Sequence, residues 1–263
     1  MGRGIAQAIA QAGFETILFD INHDVLENAE TQIKNNLDRQ KISPDEAKTI
    51  FERIKFTKSI NSCTADLVIE AAVEDLDVKK SLFQQLAYIN AHDCILATNT
   101  SSLSVTEIAA FIPIPERFAG LHFFNPAPIM KLVEVVQTKF TSPDVITSLR
   151  NFVLSIYKTP VICEDSPGFI VNHVARPYYL EALRLYEQGI DPSTIDSIME
   201  ATGFKMGPFR LMDLIGNDIN YAVSVSIYHA LGEPSRLEPS SAQKQLVENN
   251  KLGRKTGEGF YRY

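Results

Sequence analysis

The first twenty residues, MGRGIAQAIAQAGFETILFD, most narrow what this chain can fold into. Gly2, Gly4, Ala6, Ala8, Ala10 and Ala12 line a helix that can pack closely on its neighbours. Gly13 suits the left-handed position that ends a helix, because it carries no Cβ to clash. TILFD then reads as a short buried strand closing on an acid. Helix, glycine, strand and terminal Asp20 make the second half of a dinucleotide-binding βαβ unit. Asp20 follows Gly2 at close to the interval of about 20 residues that the glycine fingerprint sets. An acid there accepts hydrogen bonds from the adenosine ribose of NAD and repels the extra phosphate of NADP. The unit's first strand and first glycines are not in the sequence, so Asp20 reads equally as a ribose acceptor or a solvated strand end.

The alternation continues. DVLENAETQIKNNLDR has helical apolar spacing, and SPDEAKTIFERI opens with Ser43 as N-cap and Pro44 at the first helical position. ADLVIEAA and CILATN read as buried parallel strands on either side of a helix over 76–89. RFAGLHFF and KLVEVVQ form two more strands around the turn NPAPIM, before a helix capped by Ser142 and a short strand, TPVIC. From Ser166 onward every periodic stretch is helical, over 168–188, 192–202, 209–216, 218–230 and 240–249. The pattern predicts a doubly wound α/β domain over 1–165 and an all-α domain over 166–263.

Composition sets the exclusions. A net charge of −7 gives no basic face for nucleic acid. Cys63, Cys94 and Cys163 are spaced too widely for a disulfide framework or a zinc site, and the chemistry calls for no metal. No apolar run reaches membrane-spanning length, and no basic-then-apolar leader opens the chain. The expected setting is a reducing, cytoplasmic one.

Three stretches carry chemistry. LHFFNPAPIMKLVEVV puts His122 and Glu134 on two strands joined by a turn, where they can face each other. A carboxylate fixes the tautomer of an imidazole and stabilises its protonated form, which suits a general base near neutral pH. An isolated pair of this kind reads first as a core histidine and an exposed acid; Asn125 and Pro126 beside it favour a site. In ATNTSSLS, Asn99, Thr100, Ser101 and Ser102 follow a buried strand at its carboxyl end, where ligands of open α/β sheets lie, although Ser102 or Ser104 also reads as a helix cap. In EDSPGFIVNHVARP, Asn172 lies one turn into the helix that opens the second domain.

Taken in order, NTSSLS, RFAGLHFFNPAPIMKLVEVV, DSPGFIVNH, MGPFRLMDLIG and KLGRKTGEGFYRY closely resemble the L-3-hydroxyacyl-CoA dehydrogenases, especially the bacterial 3-hydroxybutyryl-CoA dehydrogenases, over essentially the whole chain. The resemblance implies a Rossmann-type sheet followed by helices, and NAD-dependent, reversible oxidation of a 3-hydroxyacyl-CoA to a 3-oxoacyl-CoA. It implies that His122 takes the hydroxyl proton, that Glu134 holds His122, and that Ser101 and Asn172 bind the oxygens at the reacting carbon and thioester. Glu74, Lys79, Asn99 and Asn125 match nicotinamide-side and ribose contacts, Asp20 the adenosine ribose, and Gly2 the last glycine of the phosphate loop, while Lys255 reaches towards the cofactor. A homodimer through the C-terminal helices is also implied, with Phe204, Phe209, Leu211 and Ile215 in that interface or in the core. Two rivals share the scaffold: a dehydrogenase of free hydroxy acids, such as a gulonate dehydrogenase, and a non-catalytic protein of the lambda-crystallin kind.

Relatives begin with a strand and a G-x-G-x-x-G loop whose last glycine aligns with Gly2. A start assigned too far downstream, a fragment or a truncated paralogue each accounts for the difference. Loss of a central strand would leave its neighbours' backbone groups unpaired, with poor solubility and weak NAD binding as the expectation. A second departure lies at LDRQKISPDEA, which is a few residues shorter than in relatives and leaves Lys41 as the nearest basic candidate on the CoA side.

Overall fold

Small residues let α1 (Gly2–Gln11) bury Ile5, Ala6, Gln7, Ala8 and Ala10, and Gly13 turns the chain at φ 101°. The computed structural model describes residues 1–40 and 42–263, which divide into two units, Met1–Asp165 and Ser166–Tyr263. In the first, α1 leads to β1 (Thr16–Phe19), α2 (His23–Asp38), α3 (Pro44–Glu52), β2 (Ile54–Thr57), β3 (Leu67–Glu70), α4 (Leu76–Ile89) and β4 (Ile95–Thr98). Then come α5 (Val105–Ala109), β5 (Phe118–Phe123), β6 (Leu132–Gln137), α6 (Pro143–Ser155) and β7 (Thr159–Glu164). Asn22, Ser43, Asp75, Ser104 and Ser142 cap α2 to α6, each side chain accepting an amide N–H two or three residues on. Such a cap contributes about 1 kcal/mol.

The strands form a parallel pair, β1 with β2, and a five-stranded sheet in the order β3-β4-β5-β6-β7. β3, β4 and β5 run parallel, β6 is antiparallel to β5, and β7 is parallel to β6. β2 is absent from the sequence reading, because Ile54 continues the apolar spacing of α3 and hides a four-residue strand. Among the described residues β1 pairs only with β2 and β3 only with β4, and neither is as buried as β5, whose six residues are all inside. α1 rests on both sheets: a Cβ on Gly2 would sit 3.8 Å from Ala71, just past β3, and 3.9 Å from Leu18 of β1. The larger core of this unit joins Ile5 of α1 to Ala97, Ala119, Leu121, Val133 and Val135 of the sheet and Leu149 and Val153 of α6.

The second unit contains α7 (Val171–Glu187), α8 (Pro192–Ala201), α9 (Pro208–Ile215), α10 (Asn217–Ala230) and α11 (Ser241–Glu248). Its core gathers Tyr179, Leu180, Leu183, Ile195, Phe209 and Met212, with Leu211 packed against it. Phe209 and Leu211 therefore belong to this core, whereas Phe204 is half-exposed and stacked on Tyr178 at 4.7 Å, and Ile215 is partly exposed. Two buried acids fasten the C-terminal segment. Asp196 accepts the Tyr261 hydroxyl at 2.7 Å, and Asp213 accepts the backbone amides of Phe260 and Tyr261 at 3.0 and 2.9 Å. No described helix is long and apolar enough to cross a membrane.

Candidate active site

The register of β5 on β6 sets His122 directly opposite Glu134. Cross-strand neighbours share one face of a sheet, so the side chains meet. His122 Nδ1 lies 2.7 Å from Glu134 Oε2, with the residues 6% and 1% exposed. A pair this short and this enclosed is a charge-assisted hydrogen bond whenever the imidazole is protonated. The Phe124 ring, 4.6 Å from that of His122, covers the histidine from its own strand end. The carboxylate fixes the orientation of the ring through Nδ1. Such an arrangement is chemically able to pass a proton to and from a bound molecule.

The neighbouring strand end is organised differently. Glu70, at the end of β3, accepts from Thr98 Oγ1 and Lys79 Nζ at 2.7 Å each and from the amide of Ala72 at 2.5 Å. Lys79 also lies 3.3 Å from Glu74 Oε2. Glu74 Oε1 accepts the hydroxyls of Thr100 and Ser102 at 2.5 and 2.8 Å and the amides of Ser101 and Ser102 at 3.2 and 3.3 Å. Burial pushes the Glu74 carboxyl up, but the Thr100 and Ser102 hydroxyls, Lys79 and the Ser101 amide together hold it below its ordinary value. Asn99 turns its Oδ1 to the amide of Phe123 at 2.8 Å, tying this loop to β5 next to His122. The loop carrying Ser101 is thus fixed from the Glu74 side and the β5 side. Ser104, meanwhile, is the cap of α5.

Glu74, Lys79 and Asn99 meet around this loop as hydrogen-bond scaffold, which the linear pattern did not reveal. Glu70 and Thr98 were not singled out in the sequence, and Thr100, read there as part of the ligand crevice, donates to Glu74. A charged residue ending the apolar run LVIE was the available signal for Glu70. Asn125 is exposed at the head of the NPAPIM turn, after β5. Asp20 follows β1, where its Oδ1 accepts the amide of Asn22 at 2.9 Å. Asn172 opens α7 in the second unit, its carbonyl accepting Arg176 Nε at 2.9 Å, and Lys255 of that unit pairs with both carboxylate oxygens of Asp218 at 2.6 Å. Lys41 lies outside the described residues.

The donor and acceptor set at β1 and α1 fits a dinucleotide. Asp20 offers acceptors only, and α1 opens with the amides of Gly2 and Arg3, which precede the first intrahelical acceptor. Gly4 admits a second close approach: a Cβ there would meet Pro128 at 3.3 Å and Ala127 at 3.4 Å, so the NPAPIM turn lies against the helix start.

Comparison with known proteins adds the family context. The sequence model described as "3-hydroxyacyl-CoA dehydrogenase, NAD binding domain" matches residues 1–166, and that described as "3-hydroxyacyl-CoA dehydrogenase, C-terminal domain" matches 168–263. A 3-hydroxyadipyl-CoA dehydrogenase of Escherichia coli is 46% identical across 99% of this chain, which spans 56% of that protein's length. The mitochondrial hydroxyacyl-coenzyme A dehydrogenase of Sus scrofa is 43% identical across all of this chain and 88% of its own. A solved structure of 3-hydroxybutyryl-CoA dehydrogenase from Escherichia coli superposes with a TM-score of 0.96 at 47% identity, covering all of this chain and 57% of that one.

Proposed function

The chain belongs to the 3-hydroxyacyl-CoA dehydrogenase family, and we propose that it interconverts (S)-3-hydroxyacyl-CoA and 3-oxoacyl-CoA, with 3-hydroxybutyryl-CoA as the substrate tried first. The observation that carries the reading is the buried 2.7 Å contact between His122 and Glu134.

NAD, when bound, supplies the hydride acceptor. His122 takes the hydroxyl proton of the substrate through Nε2, because Nδ1 is committed to Glu134. The imidazolium that forms is stabilised by the Glu134 carboxylate across the strand pair. Ser101, on its braced loop, is the candidate for the substrate's oxygens in the first unit, and Asn172 is kept as the second candidate on the family resemblance alone. Asp20, Gly2 and Asn125 hold the cofactor, with Asn99, Glu74 and Lys79 fixing the Ser101 loop, and Lys255 is kept as a candidate cofactor contact on the family resemblance alone. Lys41 is kept as the candidate contact to CoA. In the reverse direction His122 starts protonated and returns its proton to the 3-oxo oxygen. The partly exposed Phe204 and Ile215 support a homodimer through the C-terminal helices.

The test is NADH absorbance in the presence of acetoacetyl-CoA. Oxidation of NADH that needs the CoA thioester supports the reading. Turnover of short free hydroxy acids without CoA would replace it with the free-acid activity, and no turnover despite NADH binding would point to a non-catalytic role.

A further inference from the structure

The NPAPIM turn between β5 and β6 stands between His122 and Glu134 in the chain and carries Asn125 at its head. Its own backbone bonds are modest: the amides of Ile129 and Met130 both reach the carbonyl of Pro126 at 3.0 Å. What closes it is a residue from elsewhere. Lys158, at the junction of α6 and β7, is only 6% exposed, and its Nζ donates to the carbonyl of Ala127 at 2.6 Å and that of Met130 at 2.7 Å. No carboxylate lies within ion-pair distance of Lys158 among the described residues. Burial and neighbouring Lys131 push its ammonium below the ordinary lysine value. Lys131 itself donates to the carbonyl of Tyr157, on the far side of the same junction.

Placing an enclosed ammonium without an acid costs stability, and an apolar side chain of similar length would fill the space without that cost. The ammonium satisfies the carbonyl of buried Ala127, which would otherwise lack this donor, and bridges it to that of Met130. Those carbonyls belong to a segment that lies against the helix start at Gly4, through Ala127 and Pro128, and continues from the end of β5, where the Phe124 ring is tilted against that of His122 at 4.6 Å.

We propose that Lys158 is a positioning residue for the dehydrogenase: by holding the Ala127 and Met130 carbonyls it fixes the turn that presents Asn125 to the cofactor. The inference rests on the reading of Asn125 as a cofactor contact. His122 and Glu134 are held by the β5–β6 ladder rather than by the turn, so Lys158 acts on cofactor binding more than on proton transfer.

The experiment measures NADH affinity by fluorescence and steady-state kinetics with acetoacetyl-CoA on the full chain. Lys158→Met keeps side-chain length and removes all donors; KM for NADH rises about tenfold, the equivalent of about 1.4 kcal/mol, while kcat at saturating NADH stays within about threefold. Lys158→Arg, which keeps charge and donors, restores most of the affinity. Asn125→Ala weakens NADH binding comparably, and Lys158→Met/Asn125→Ala is no weaker than either single variant, a coupling that a general loss of packing would not produce. Should Lys158→Met not fold, Lys158→Leu, which also removes every donor, carries the same test. An unchanged KM in Lys158→Met, or additive losses in the double variant, overturns the inference. Failure of the unmutated chain to bind NADH overturns the dehydrogenase reading instead, so the two failures are told apart.

Discussion

Glu134 and Glu70 are both carboxylates on the five-stranded sheet, 1% and 4% exposed, yet they face different partners. Glu134 meets the His122 imidazole, which in the proposed reaction takes up and returns a proton. Glu70, with Glu74, meets an ammonium, hydroxyls and backbone amides, to which the proposed reaction assigns no proton transfer. On the proposed reading, equal burial therefore accompanies a proton-handling pair in one place and a brace in the other. Partner chemistry, not depth, separates the two roles.

That contrast predicts a ranking of effects. His122→Gln removes the acid–base group and lowers kcat by about 10²–10⁴-fold, with NADH binding retained; a near-normal rate would remove the contrast. Glu134→Gln approaches the same loss in kcat, again with NADH affinity intact, since the imidazolium loses its counter-charge. On the bracing side, Thr98→Val keeps shape and deletes the donor to Glu70. Stability falls by about 1–3 kcal/mol, the cost of an enclosed acceptor left unpaired, as read from the denaturant midpoint, while turnover per folded molecule stays within about threefold. A large kcat loss there would make the brace part of the chemistry.

The smallest effect is a pH dependence. The folded Glu74 carboxyl sits below its ordinary value, so its ionised form favours the folded state. Its contribution is present above about pH 4.5, the ordinary value, and is lost as pH falls through the lowered one. The stability advantage of the unmutated chain over Glu74→Gln should shrink in acid, measured by denaturant titration at each pH; an advantage that stays constant would contradict the bracing role.

The same partner chemistry explains what could be read in the sequence. Strand–helix alternation and caps such as Ser43-Pro44 are local, so the α/β architecture followed by helices was legible. His122 and Glu134 were legible as neighbours because one turn joins their strands, leaving only the register to be seen. β2 was hidden because four residues after a helix are too few to show alternation. Lys158, 31 positions from Ala127, and Thr98, 28 from Glu70, share no periodicity with the groups they hold. Only the folded chain brings them together, and backbone carbonyls, which Lys158 serves, leave no mark in a sequence.

The most direct test of the central claim is a double-mutant cycle on His122→Gln and Glu134→Gln, scored as kcat with acetoacetyl-CoA at saturating NADH. If imidazole and carboxylate work as one unit, the double variant is no slower than His122→Gln alone. Losses that multiply would show two independent groups and contradict the account.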